Sequence, residues 1–398
     1  MLLFKKNTYN QCLLGCCFLS LSFDLGGEVG IRNPTIFICG ALIILGNTIV
    51  YKKRYLFYYS LLILYPLIMF FVGITNNANV EVAMSQYKST FFAFLLLFLI
   101  PIIQPRKAAY TLIFALASTA FFATLIFIGI SLKRPEAWEI IHFLLQKGGG
   151  YFGERGIGTD LVPNIYFKST LFYTVGYIFS LFYLPTIISI IFFLGLLAGV
   201  SKAGMLYCGI STCLYAYYKK KSIKILLLIV FMASFFIGII NLSPIKFLYQ
   251  EVLEGNSKTV MVRKLHFESL ISYWETNPVS FIIGSGLGTS FYSQATGTQV
   301  YNIEIDHFNI TRKYGIIWFL LFSSRILLVG YKAIKSQEIY KKRLGLSLIT
   351  AFIVCGTNPV LLSPLFFCLL FITENSIENK THRREPNKTQ SCHFVSNL

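Results

Sequence analysis

The stretch EIDHFNITRKYGIIWFLLF, residues 304–322, places three ionisable side chains within four residues, then runs through Arg312 and Lys313 into an apolar segment. Charge is costly in hydrocarbon, so the seam between the two halves is read as the entry to a membrane span beginning near Tyr314. Segments of similar character recur along the chain. Crossing a bilayer takes about 20 apolar residues, and windows of that kind fall at 9–23, 34–51, 55–74, 88–104, 108–132, 166–184, 185–200, 203–218, 223–241, 314–331, 344–356 and 359–372. With 55% hydrophobic and 13% charged residues, a chain of 398 residues has too little polar surface for a soluble body. The expected class is all-α: a polytopic membrane protein of about twelve transmembrane helices with one long extracytoplasmic loop carrying short helices.

Lys and Arg resist translocation, and they cluster at alternate connections: Lys5 and Lys6; Lys52, Lys53 and Arg54; Arg106 and Lys107; Lys219, Lys220, Lys221 and Lys224; then Lys332 through Arg343. Both termini are therefore expected in the cytoplasm. The basic tail, with Lys380, Arg383, Arg384 and Lys388, falls on that side only if 344–372 crosses twice. This gives an N-terminal bundle of about nine spans over 1–241, a long outer loop over 242–313, C-terminal spans over 314–373 and a cytoplasmic tail over 374–398. The net charge of +18 is a consequence of topology. Cytoplasmic segments hold 21 of the 35 Lys and Arg but 4 of the 17 Asp and Glu, which argues against nucleic acid as a partner.

The nine cysteines show no CxxC pair and no metal spacing, and Cys39, Cys208, Cys213, Cys355 and Cys368 lie inside predicted spans as small apolar side chains. Leu13-Leu14-Gly15-Cys16 resembles a lipoprotein processing box. The preceding Asn7 to Gln11 is too polar for a signal-peptide core, so an uncleaved first helix is expected.

Outer connections are expected at 24–33, 75–87, 133–165, 242–313 and the Ser201-Lys202 turn. The fourth far exceeds the ~2 to 8 residues of an ordinary helix–helix connection. Within it, Val260 to Trp274 reads as a helix entered through Asn256-Ser257, supported by Lys264 and Glu268 at four-residue spacing and closed by Asn277-Pro278. Arg263 and His266 are three apart and share a face. Gly284, Gly286 and Gly288 have no strand–helix unit around them, so the reading is a flexible turn against the membrane rather than a phosphate loop. His307 is flanked by Asp306 and Asn309; held in one tautomer by Asp306 it is a general base, and its bland alternative is a structural histidine at the interface. Arg312 and Lys313 are expected to anchor the helix to headgroups. In the third loop Arg155 precedes Gly156, Pro163 and Asn164; the bland alternative is pairing with Glu154 or Asp160, worth about 0 to 1 kcal/mol.

The order of these features resembles the O-antigen polymerase and O-antigen ligase superfamily, bacterial membrane glycosyltransferases that act on polyprenyl-diphosphate-linked glycans. The likeness spans roughly residues 150–330. Arg155-Gly156 with Pro163-Asn164 resembles the family's Arg-Gly and Pro-Asn segment. Arg263 ahead of Asn277-Pro278 resembles its second outer arginine, and Asp306-His307-Phe308-Asn309 with Gly315 resembles its His-Asn and Gly segment. Ser201-Lys202 departs from a Ser-Arg pattern, and lysine lacks the planar fork of arginine. The resemblance implies Arg155, Arg263 and His307 as catalytic residues. Asp306, Asn309, His266, Asn164 and Arg32 would be substrate-binding, with neither metal nor cofactor. It also implies a lipid-linked oligosaccharide substrate, membrane lipids as surroundings, a chain-length regulator and a flippase as partners, and an active site on the periplasmic side of the inner membrane. A polymerase is the leading expectation. Ligase activity towards lipid A core is one alternative, and a flippase, which needs charges inside its helices, is another.

Overall fold

The computed structural model describes residues 2–48, 52–157, 160–181, 183–219, 258–356 and 358–378. The predicted span 223–241, the loop up to residue 257 and the tail from 379 lie outside the described residues. The chain is mostly helical. In order, the elements are α1 (Leu2–Phe23), α2 (Arg32–Leu45), α3 (Arg54–Thr75), α4 (Val80–Ile102), α5 (Pro105–Ser131) and α6 (Pro135–Gln146). A hairpin follows, β1 (Gly150–Ile157) and β2 (Asp160–Phe167), then α7 (Phe172–Ser180), α8 (Thr186–Ala198) and α9 (Lys202–Lys219). After the gap come α10 (Lys258–Thr276), α11 (Pro278–Ile282), a second hairpin of β3 (Phe291–Ser293) and β4 (Thr298–Val300), α12 (Asp306–Ile334), α13 (Ile339–Cys355) and α14 (Pro364–Glu378). Four of these, α3, α4, α5 and α12, are long and apolar enough to cross a membrane.

Local chemistry sets many of the boundaries. Asn79 caps α4 by accepting from the backbone N–H groups of Glu81 and Val82. Pro105, Pro135 and Pro278 open α5, α6 and α11, where a missing N–H breaks no helical bond. Every predicted span among the described residues overlaps a helix, and 344–372 resolves into the separate helices α13 and α14.

The 133–165 connection holds α6, which buries Ala137, Ile141 and Leu144, and most of the first hairpin. Two expectations are corrected. The predicted span 166–184 is shortened at its start, because Tyr166 and Phe167 belong to β2 and the helix begins only at Phe172. The Gly284–Gly288 run is not a flexible turn. It is buried between α3 and α12, with Leu287 N–H donating to Met69 O at 2.8 Å and Gly286 N–H donating to Lys313 O at 3.2 Å. A Cβ on Gly73 would lie 2.0 Å from Leu287 O, and one on Gly286 would lie 2.2 Å from Gly73 N, so these glycines let two backbones touch.

That seam is also where both long helices depart from regular geometry. α3 widens into a π turn over Ser60–Leu64 just before Pro66, which cannot donate to residue 62. The carbonyl of Leu61 is taken up by Trp318 Nε1 of α12 at 3.2 Å. α12 in turn breaks at Gly315 (φ 81°, ψ 160°), and Tyr65 Oη lies 2.9 Å from the carbonyl oxygens of both Ile283 and Tyr314. At the opposite end of α3, Arg54 and Tyr58 meet Arg325 of α12 and Glu374, Asn375 and Glu378 of α14 in a cluster of ion pairs.

Candidate functional site

α10 forms as expected, with the Lys264–Glu268 pair at 3.7 Å, and Arg263 and His266 take different hydrogen-bond partners. His266 is buried and its Nδ1 lies 2.6 Å from Ser293 Oγ of β3, so it fastens α10 to the second hairpin. Arg263 takes a different partner: its Nε lies 2.9 Å from Glu304 Oε2, with side chains 34% and 46% exposed. Among the described residues this is the one partner of the Arg263 guanidinium, and it engages Nε rather than either Nη.

Burial holds His266 below its usual pKa, against the opposing pull of Glu304. An unfolded chain takes up this proton near pH 6.5, whereas the folded chain takes it up only at lower pH, so the unfolded form binds more protons in between. Stability is therefore expected to fall as pH drops below about 6.5. Melting curves from pH 7.5 to 5.5 should slope less steeply for His266→Gln than for the wild type, and equal slopes would count against the assignment.

The first hairpin brings a second set of groups to the same region. On β2, Ile165 and Phe167 are buried in the core, so alternation puts Asn164 and Tyr166 on the other face. Asn164 Oδ1 is buried with no partner among the described residues. The Tyr166 phenol is pushed up by burial first, then by Cys355, Tyr151 and Glu304, with Arg263 opposing, so the charges of the Arg263–Glu304 pair are felt on this strand face. Arg155 stands on β1 opposite Val162; its side chain, and with it the pairing with Glu154 or Asp160, lies outside what the structure describes, as does that of Lys202.

The start of α12 completes the region. Asp306 does not hold His307: its N–H donates to Gly356 O at 2.8 Å and its carboxylate accepts from Leu361 N–H at 2.8 Å. Neighbouring helical side chains project about 100° apart, and the carboxylate is drawn to the turn between α13 and α14. Asn309, also buried, sits 3.4 Å from both Asp306 Oδ1 and Asn302 Oδ1. The His307 ring packs against Phe352 at 4.8 Å and so close to Gly356 that a Cβ there would lie 1.8 Å from its Cε1. Its Nε2 is buried and has no partner among the described residues. Burial of a ring nitrogen without a partner is rare enough to need a reason.

The other cations have different roles. Arg312 and Lys313 do not reach headgroups; both are buried because the break at Gly315 turns the first turns of α12 in beneath the 285–302 segment. Arg312 Nη1 donates to Thr289 Oγ1 and O at 2.9 and 3.0 Å, Nη2 to Tyr301 O at 2.9 Å, and Lys313 Nζ donates to Asn302 Oδ1. Arg32 is likewise buried, donating through Nη1 to Leu25 O and through Nε to Asn33 Oδ1, with its guanidinium 5.0 Å from the Phe92 ring centre. None of these contacts joins it to Arg263, Glu304 or His307.

The structure thus places Asp306, His307 and Asn309 in the first turn of α12, ties Arg263 to Glu304 just ahead of it, and lets the Tyr166 phenol of the first hairpin feel that pair, with Asn164 on the same strand face as Tyr166. It turns His266 inward and keeps Arg32 apart. Glu304 and Tyr166 are the additions that residue-by-residue reading missed, although Tyr166 follows Asn164 at the two-residue spacing of a strand face. Chemically, the half-exposed guanidinium on α10 offers an anion-binding fork, and the unpartnered imidazole nitrogen at the start of α12 offers a proton acceptor. No family model, curated protein or solved structure matches this chain.

Proposed function

We propose that the chain is a surface-polysaccharide (O-antigen) polymerase that joins polyprenyl-diphosphate-linked repeat units on the outer face of the bacterial inner membrane. In this reading about twelve spans leave both termini in the cytoplasm, and residues 242–313 with the first hairpin lie outside, where they meet a flippase that delivers substrate and a chain-length regulator. Arg263, with Arg155, takes the diphosphate. A guanidinium stays charged and offers two parallel donors to phosphate oxygens, and fixed positive charge beside a developing dianion lowers the barrier to its departure. The acceptor hydroxyl oxygen attacks the anomeric carbon. The bond from that carbon to the diphosphate oxygen breaks, the electron pair leaves with the lipid diphosphate, and the hydroxyl proton passes to His307 Nε2.

The observation that carries the reading is the contrast between arginines: Arg32 and Arg312 donate from Nη to protein carbonyls, whereas Arg263, among the described residues, holds an exposed carboxylate that an anionic substrate can displace. One observation favours the flippase alternative, since Arg54, Arg325 and Glu374 put charge among three helices. These groups sit at one end of the helices rather than along a pathway through them.

The test is the surface polysaccharide of a producing bacterium carrying His307→Gln. A band of core plus one repeat unit supports polymerisation. Loss of all attached glycan with lipid-linked polymer retained points to ligation instead, and a normal long-chain ladder removes His307 from the mechanism. Mapping residues 242–313 to the cytosol would end the proposal altogether.

A further inference from the structure

A groove of about 520 Å³ runs along the outside of the bundle between α1 and α5, towards the end of α5 far from the first hairpin. Gln11, Gly15 and Leu19 recur every four residues on the α1 wall, and Thr111, Ala115 and Ser118 follow one another up the α5 wall. At 1.5 Å per residue these walls run for roughly 12 Å. Gln11 Nε2 donates to Thr111 Oγ1 at 3.3 Å, bridging the two walls near one end of the groove. Beyond Leu19 and Ser118 it continues onto lipid-facing helix surface, since α5 is one of the helices apolar enough to cross a membrane.

The same end carries a cation beside Tyr110. Arg106 Nε donates to Tyr110 Oη at 3.2 Å and its guanidinium lies 5.6 Å from the Tyr110 ring centre. Tyr110 is itself held by Tyr183, hydroxyl to hydroxyl at 2.8 Å with the rings stacked at 6.2 Å. Tyr110 therefore both lines the groove and orders the guanidinium at its mouth, with Lys107 one residue along. An apolar channel ending at an ordered arginine matches an amphiphile with a negative head.

We propose that this groove is a binding site for an anionic membrane phospholipid, one acyl chain lying between α1 and α5 and the phosphate resting on Arg106. Charge complementarity chooses this occupant over a zwitterionic lipid, because a basic side chain near the headgroup plane favours anionic lipid about fivefold. The site is independent of the transfer chemistry proposed above and stands or falls by itself.

Native mass spectrometry of the full chain, purified in detergent and titrated with phosphatidylglycerol or phosphatidylethanolamine, provides the test. The wild type should retain phosphatidylglycerol about fivefold more strongly. Arg106→Gln should abolish the preference while leaving both lipids bound. Gly15→Leu and Ser118→Leu each fill the groove, the latter from an exposed position where folding is not in question, and each should remove the retained lipid. Equal retention of the two lipids by the wild type overturns the proposal, as does wild-type retention by Ser118→Leu.

Discussion

Replacing Glu374 with alanine is expected to destabilise the protein by about 3 kcal/mol, the low end of the cost of breaking a buried pair, because the Arg325 left without a carboxylate is partly exposed. Glu374 is 4% exposed; it accepts a 2.9 Å hydrogen bond from Tyr58 Oη, pairs with Arg325 and lies 3.8 Å from Arg54. Arg54 keeps Glu378 at 2.7 Å, an ionic contact without hydrogen-bond geometry, and the Asn375 amide oxygen. Arg325 loses its one carboxylate partner among the described residues, and the ends of α3, α12 and α14 lose the group that joins them. Glu374→Gln keeps the shape and an acceptor for Tyr58 but not the charge, so its melting temperature should fall between those of the wild type and Glu374→Ala. Thermal unfolding in detergent reads this directly; an alanine variant as stable as the wild type would show that the cluster does not clamp the helices.

The second large effect concerns activity and leaves the fold alone. Arg263→Ala should reduce polymer formation on the order of 10²- to 10³-fold, as expected for removing a fixed donor aimed at developing negative charge. Its stability should barely change, because the pair it breaks is half-exposed and such pairs are worth about 0–1 kcal/mol. Arg263→Lys restores the charge without the planar fork and should rescue poorly. The separation of the two readouts matters: an arginine with a structural role, such as fully buried Arg312 with its three donors to the 289–301 segment, would lose stability first. A full-length ladder from Arg263→Ala, seen on a gel of surface polysaccharide, excludes the phosphate-binding role.

Hydrophobic runs made the helices legible because a long apolar segment has few other ways to hide its backbone. What stayed hidden depended on tertiary partners. The stretch from Asp306 to Lys313 reads as a loop because it is charged, yet it is helical, since Leu361, Asn302, Thr289 and Tyr301 satisfy those charges from other segments. The glycines at 284–288 read as flexible because glycine usually is, but here the missing Cβ lets them contact Gly73 and α12. α6 was missed because twelve residues are too few for a span. In the site, His307 could be picked by its chemistry beside Asp306 and Asn309, and Arg263 by its place in the order of motifs. Glu304 and Tyr166 could not, because nothing local in the sequence brings the charges of the Arg263–Glu304 pair to bear on β2.

The central claim is that Arg263 grips the diphosphate of a carrier lipid while a sugar is transferred from it. The most direct measurement is release of polyprenyl diphosphate by the purified chain in vesicles supplied with polyprenyl-diphosphate-linked repeat units. The account predicts release coupled to polymer growth for the wild type, and almost none for an Arg263→Ala protein that melts at the same temperature. Equal release from both proteins, or none from the wild type, would contradict it.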